Sequence, residues 1–142
     1  MTLVRFYILE DSHPAAREKF ACRLAVKGFN AGVKTFFNMP DARACQRLDE
    51  LLWTFSDQSF VPHEISTDSE SAGCIIAIGH DIEPASDFEV LINMAPDVPH
   101  FFSRFQKTFE IIDGHEDNKA QGRSRWSFYK DRGYPLENIP VQ

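Results

Sequence analysis

Residues 3–9 read LVRFYIL, a short run of apolar, β-branched and aromatic side chains that stops at Glu10 and Asp11. A run of this length between polar residues predicts a buried strand. Ser12-His13-Pro14 comes next, and proline is favoured at the first position of a helix. Apolar residues then recur at helical spacing as far as Gly28, so the sequence predicts an amphipathic helix directly after the strand.

The same alternation continues along the chain. Further strands are predicted over residues 33–37, 74–78, 89–92 and 109–112. Further helices are predicted from Pro40-Asp41 to Phe55 and over residues 116–132, and Gly133 would end the second of these. A short helix is predicted over residues 99–105. Residues 56–73 are predicted to form a long irregular stretch, a kind of loop that is often functional. Alternating strands and helices predict an α/β fold with a mostly parallel central sheet.

The composition fits one compact, soluble domain spanning residues 1–142. Apolar residues make up 43% of the chain, which is enough for a core and excludes a disordered protein. Three cysteines without C-x-x-C spacing indicate neither a disulfide framework nor a zinc site. The N-terminus lacks the pattern of a signal peptide, and no apolar run approaches the roughly 20 residues that span a bilayer. We therefore expect a cytoplasmic protein with reduced thiols.

The motifs of nucleotide binding and catalysis are not found. No G-x-G-x-x-G follows the first strand, where Glu10 and Asp11 would repel a pyrophosphate, and no P-loop motif occurs in the chain. The close pair His80-Asp81 is more typical of an exposed loop than of a metal site. Cys45 and Cys74 fall on predicted buried faces, where a thiol is inert. The sequence therefore predicts a protein that is not itself an enzyme and has neither cofactor nor metal.

An aromatic and apolar group lies around the end of the second predicted helix. Trp53 falls away from the centre of the stripe formed by Leu48, Leu51 and Leu52, and the following loop brings Phe60. Large apolar residues that are exposed together usually mark a protein interface. Two interpretations are open: an interface, or a small satellite core in which both rings fold under the loop.

The last predicted helix has a local positive charge, opposite in sign to the net charge of the chain. The protein has a net charge of −6, yet residues 119–132 hold one acid, Asp131, and five cations: Lys119, Arg123, Arg125, Lys130 and Arg132. At 100° per residue, one stripe contains Lys119, Arg123, Trp126 and Lys130. A cationic stripe with an aromatic ring suits an anionic ligand that also carries a ring or an apolar side chain. The alternative is a solvated helix whose Trp126 packs inward.

Several motifs together resemble the chi subunit of bacterial DNA polymerase III. They are VRFYIL at 4–9, RLDELLW at 47–53, SFVPH at 59–63 and RSRW at 123–126, with Tyr129-Lys130, Gly133 and Tyr134 after them. The resemblance runs nearly from end to end. It implies a three-layer, Rossmann-like α/β domain that has no nucleotide site and no catalysis of its own.

The resemblance also implies two protein partners and a place in the replisome at the bacterial nucleoid. Chi subunits bind the psi subunit of the clamp-loader complex, and the matching positions are Trp53, Phe60, Val61, Pro62 and His63. In some members of the family the same surface receives a helicase-like protein. Contact with DNA would be mainly indirect.

The second implied partner is the acidic C-terminal tail of single-stranded-DNA-binding protein, which ends in Pro-Phe. The matching positions are Lys119, Arg123, Trp126, Lys130 and Gly133. Ser127 departs from the family, because some members place a lysine there that helps to hold the tail. A competing hypothesis is direct binding of single-stranded nucleic acid, with the cations on phosphates and Trp126 on bases. A third hypothesis is a small-molecule α/β enzyme, but the sequence shows no recognisable site for a nucleotide or substrate.

Overall fold

The protein forms a single parallel β-sheet with helices on both faces. In the computed structural model, residues 1–55, 61–67 and 73–141 are described. The strands are β1 (Leu3–Leu9), β2 (Thr35–Asn38), β3 (His63–Ile65), β4 (Ile76–Gly79), β5 (Val90–Asn93), β6 (Lys107–Ile112) and β7 (Leu136–Val141). The helices are α1 (Ala16–Ala31), α2 (Ala42–Thr54) and α3 (Glu116–Asp131), with a 3₁₀ turn at Phe102–Arg104. The sheet order is β3-β4-β2-β5-β6-β1-β7, and each neighbouring pair is parallel.

Each face of the sheet has its own core because successive side chains of a strand point to opposite faces. On β1, Tyr7 and Leu9 belong to the core beneath α1 and α2, whereas Val4 and Phe6 belong to the core beneath α3 and the 3₁₀ turn. The helices therefore form layers above and below the sheet. This arrangement confirms the three-layer α/β architecture that the sequence predicts.

Two strands differ from the sequence-based prediction. The stretch 56–73 was expected to be irregular, but it contains β3, which pairs with β4 at one edge of the sheet. The strand predicted over 109–112 was expected to be the last, but β7 follows α3 and pairs with β1 at the other edge. Both strands are edge strands, which bury less of their surface and so carry no continuous apolar run.

Pro140 explains why β7 was hard to predict. Proline within a strand is confined to positions whose missing N–H would face solvent. Val4 donates its backbone N–H to Pro135 O at 2.9 Å, so in a parallel ladder the odd-numbered residues of β7 face β1 and Pro140 faces outward. Two other observed elements differ slightly from the predicted ones. Cys74 lies before β4 instead of beginning it, and the short helix predicted over 99–105 is a 3₁₀ turn of three residues.

Candidate protein-binding surfaces

The loop between β1 and α1 is not built to bind a phosphate. Asp11 Oδ1 accepts the backbone N–H of His13 at 2.8 Å, and His13 Nδ1 accepts the N–H of Ala15 at 3.1 Å. Side chains of the loop thus already occupy backbone donors that a nucleotide-binding loop offers to its ligand.

The end of α2 presents an exposed tryptophan, which we call the Trp53 surface together with the neighbouring Pro62. Cys45, Leu48 and Leu52 are buried and define the inner side of the helix. Trp53 lies 100° beyond Leu52 around the helix axis, and 51% of its surface is exposed. The indole is therefore presented to solvent at the end of the helix rather than folded into the core.

Beneath this indole lies His63, which is buried. The two ring centroids are 4.6 Å apart and the rings are tilted by 51°. His63 Nδ1 is 2.7 Å from Val61 O, and Nε2 is 3.2 Å from Asp49 O and 3.1 Å from Asp49 Oδ1. Both ring nitrogens therefore lie within hydrogen-bonding distance of acceptor oxygens, one on the loop and two on α2.

The residues predicted to bind the psi subunit occupy different depths. Trp53 is exposed and Pro62 is half-buried, so both are available to a partner. Val61 and His63 are buried and support the surface from below. Phe60 lies outside the described residues. The structure thus brings the other four together at the junction of α2 and β3.

A shallow groove of 230 Å³ runs between α3 and the β7 edge of the sheet. We call it the Trp126 groove, and its lining residues are Phe6, Ile8, Ile112, Lys119, Gly122, Arg123, Trp126 and Asn138. Trp126 is half-buried, with its ring edge-on to Phe6 at a centroid distance of 5.0 Å. The groove thus has an apolar floor and two cations, Lys119 and Arg123, on its helical wall.

Gly122 shapes the floor of this groove. A β-carbon at position 122 would lie 2.6 Å from Ile112 Cδ1, so the glycine lets α3 approach β6 closely. Lys119 is half-exposed and pairs with Glu116 at 3.6 Å across one turn of the helix, whereas Arg123 is exposed. An ion pair at that exposure contributes little, so both cations are accessible to an anionic ligand.

The structure separates the residues predicted to receive the acidic tail into two groups. It brings Lys119, Arg123 and Trp126 together in the Trp126 groove. Lys130 is exposed one turn further along α3, and Gly133 follows the helix with a φ of 79°, but neither residue lines the groove. The positive φ confirms Gly133 as the terminator of the helix, because that backbone region favours glycine.

One of the five expected cations is not on the surface. Arg125 is buried, and its Nε donates to Glu110 Oε1 at 2.9 Å while its Nη1 donates to Pro96 O at 3.0 Å. Helical periodicity explains the difference, since Arg125 lies between Gly122 and Tyr129 on the side of α3 that faces the sheet. The basic surface of the helix therefore has four cations rather than five.

Glu110 is the centre of a buried polar network beneath α3. Besides Arg125, it accepts hydrogen bonds from Asn93 Nδ2 at 3.0 Å and from the Tyr129 hydroxyl at 2.8 Å, both at Oε2. Burial raises the pKa of the Glu110 carboxyl, and the Arg125 charge together with these hydrogen bonds offsets part of that rise. The network anchors α3, and with it the wall of the Trp126 groove, to the sheet.

Two of the three cysteines, Cys22 and Cys45, are buried, and burial disfavours their thiolates. Cys45 Sγ lies 3.7 Å from His80 Nδ1, but burial raises the pKa of this thiol to about 11. Burial likewise raises the pKa of Cys22 to about 12. A thiol is a poor nucleophile when its thiolate is disfavoured.

Histidine, cysteine and acidic side chains are scattered over residues 1–55, 61–67 and 73–141. Within these ranges, no group of three or more His, Cys, Asp or Glu side chains is placed to hold a metal ion. None of the helices found there is long and apolar enough to cross a bilayer.

Sequence reasoning missed three residues that shape the two surfaces. Asp49 lies in the RLDELLW motif one turn before Trp53, a spacing that places both side chains on one face of the helix. Gly122 interrupts a helical pattern, which often signals close packing. Asn138 gave no signal, because it belongs to the strand that the sequence did not predict.

The fold and the two surfaces define a parallel α/β domain whose exposed features are an aromatic surface on one helix and a cationic, aromatic groove on another. The model of the family described as DNA polymerase III chi subunit, HolC, matches residues 1–137. The chain therefore belongs to the DNA polymerase III chi subunit family, and the resemblance found in the sequence is confirmed.

Curated relatives agree with this assignment. The DNA polymerase III subunit chi of Pseudomonas aeruginosa is 31% identical over 138 residues, covering 97% of this chain and 96% of the relative. The subunit of the same name from Haemophilus influenzae is 26% identical, covering 95% of this chain and 96% of the relative. That of Escherichia coli strain K12 is 24% identical, with 92% of both chains covered.

Proposed function

We propose that this chain is a non-catalytic adaptor of DNA polymerase III in DNA replication. It would bind the psi subunit of the clamp-loader complex through the Trp53 surface. It would bind the acidic C-terminal tail of single-stranded-DNA-binding protein through the Trp126 groove. Family membership, and the resemblance from which these partners come, support the proposal.

The observation that carries the tail-binding proposal is the Trp126 groove itself. Lys119 and Arg123 line it next to Trp126 in a protein whose net charge is −6. Arginine holds carboxylates through paired hydrogen bonds, and the indole with the apolar floor suits a phenylalanine ring. A peptide that combines acidic residues with a terminal Phe fits this combination of charge and apolar surface.

Each tail would bind weakly, and the coat of binding protein on single-stranded DNA would offer many tails at once. Multivalent attachment raises the effective concentration of the tethered partner without any new contact. The adaptor would thereby keep the clamp loader, and the polymerase joined to it, close to the coated strand.

The experiment is a calorimetric titration with an acidic peptide ending in Asp-Ile-Pro-Phe, alongside the same peptide without the final Phe. We expect micromolar binding that requires the Phe and weakens with added salt. Arg123→Met should cost about 1.5–3 kcal/mol of binding free energy, the range for hydrogen bonds to charged groups. Equal binding of the two peptides would contradict the proposal.

Single-stranded DNA is the competing ligand of the same helix, and the same protein can be titrated with an oligonucleotide. Because Arg125 is buried, α3 offers four cations to phosphates, which lowers the salt dependence that such binding would show. Oligonucleotide binding tighter than peptide binding would favour the nucleic-acid hypothesis instead.

A further inference from the structure

The indole of Trp53 is exposed, yet it rests on a buried and hydrogen-bonded ring. His63 lies 4.6 Å below it, centroid to centroid, and the His63 side chain is 0% exposed. The imidazole therefore covers part of the indole, while 51% of the Trp53 surface stays exposed. An aromatic residue fixed in this way loses little conformational freedom when a partner covers it.

Acceptor oxygens face both nitrogens of the imidazole. Val61 O faces Nδ1, and two oxygens of Asp49 face Nε2, at the distances given above. All three oxygens are acceptors when the carboxyl group is ionised, so either ring nitrogen that carries a hydrogen can donate it. The ring cannot turn without breaking these contacts, and in a buried position a broken hydrogen bond is costly.

Asp49 connects the imidazole to the helix that carries the indole. Asp49 and Trp53 are four residues apart on α2, so they lie one above the other on one face. In an α-helix the carbonyl of residue 49 also accepts the N–H of residue 53. Asp49 therefore links the last turn of α2, the start of β3 and the position of the indole.

We propose that Asp49 and His63 are positioning residues, which hold Trp53 in one orientation for a partner that presents an apolar surface. The inference rests on the proposed function, in which that partner is the psi subunit. It assigns His63 a role beneath the surface rather than in contact with the partner, and it adds Asp49.

The test measures the mobility of the indole without any partner. In a Trp126→Phe background, Trp53 is the single tryptophan, and time-resolved fluorescence anisotropy reports its motion. Asp49→Ala should add a fast component to the anisotropy decay. Alanine favours a helix, so a loosened helix would not explain that change. Asp49→Asn keeps a hydrogen-bonding group in place and should restore the slow decay, and Glu50→Ala is the matched control on the exposed neighbour.

The second measurement is the affinity for purified psi subunit. Asp49→Ala should weaken binding by about 5- to 10-fold, as expected for the loss of one hydrogen bond to a buried group, while Asp49→Asn and Glu50→Ala stay within about 2-fold of the parent. An unchanged anisotropy decay in Asp49→Ala would overturn the positioning role. Full psi affinity in Trp53→Ala would instead refute the proposed psi surface, and the anisotropy result would still decide whether Asp49 and His63 position the indole.

Discussion

Arg123 and Arg125 lie two residues apart on α3, and we predict that their replacement by methionine has different effects. The change at Arg125 should reduce stability, and the change at Arg123 should reduce peptide binding. Arg125 pairs with Glu110 at 2.9 Å, with side-chain exposures of 7% and 0%. Arg125→Met therefore leaves a buried carboxyl group without its cation. Arg123 is exposed on the wall of the Trp126 groove, so Arg123→Met removes a ligand contact and no core interaction.

The expected loss of stability follows from this geometry. Two unit charges 2.9 Å apart attract by ~6 kcal/mol at an effective dielectric constant near 20. The cost of desolvating both groups offsets part of this, and removing one partner of a buried pair typically destabilises a protein by about 3–5 kcal/mol. Asn93 and Tyr129 still donate to Glu110, so we expect about 3 kcal/mol for Arg125→Met. Arg123→Met should stay within about 0.5 kcal/mol of the parent.

Urea denaturation followed by circular dichroism measures the first effect, and peptide calorimetry measures the second. Arg125→Met should mainly lower the free energy of unfolding, with a smaller loss of peptide affinity than Arg123→Met. Arg123→Met should mainly lower the peptide affinity and keep the free energy of unfolding. The double variant Glu110→Leu/Arg125→Met removes both charges and should recover most of the stability. Two results would refute the reasoning: parental stability in Arg125→Met, or equal losses of peptide affinity in the two single variants.

Three further outcomes are expected. Ser127→Lys adds a cation beside the groove and should raise peptide affinity by up to about 5-fold in calorimetry at low salt, the effect disappearing at high salt. Gly122→Val should lower the free energy of unfolding in urea by about 1–3 kcal/mol and weaken peptide binding, because its side chain would overlap Ile112. At pH 8, a thiol reagent should modify half-exposed Cys74 first, while Cys45, with a pKa raised to about 11, reacts only on unfolding; mass spectrometry distinguishes the sites.

The central part of the fold could be predicted because its strands are buried on both faces. The runs at β1, β4 and β5 are apolar or nearly so, and β2 has Phe36 and Phe37 at its centre, which is the pattern of interior parallel strands. The edge strands could not be found in this way. Of the six residues of β7, three are exposed and one of these is Pro140, so local sequence carries little strand signal and pairing with β1 decides the structure.

The candidate sites were predictable where helical periodicity determines the exposed side. Spacing alone placed Lys119, Arg123, Trp126 and Lys130 on one stripe, and the structure brings the first three into one groove but not Lys130. Spacing places Arg125 on the inner side of α3, between Gly122 and Tyr129, but a buried cation also requires a partner from elsewhere in the chain, here Glu110 of β6, which spacing does not indicate. Similarly, His63 is buried against Asp49 of α2, which lies 14 residues away in sequence, so local spacing does not reveal this contact.

The chain contains two tryptophans, and each belongs to one of the two proposed surfaces. Their indole N–H signals in a two-dimensional ¹H–¹⁵N NMR spectrum therefore report on both surfaces at once. Titration with the peptide ending in Asp-Ile-Pro-Phe should shift the Trp126 signal and leave that of Trp53 in place, while psi subunit should shift Trp53 and leave Trp126. A peptide that leaves the Trp126 signal unmoved, or that shifts Trp53 in its place, would contradict the assignment of the tail to the groove on α3.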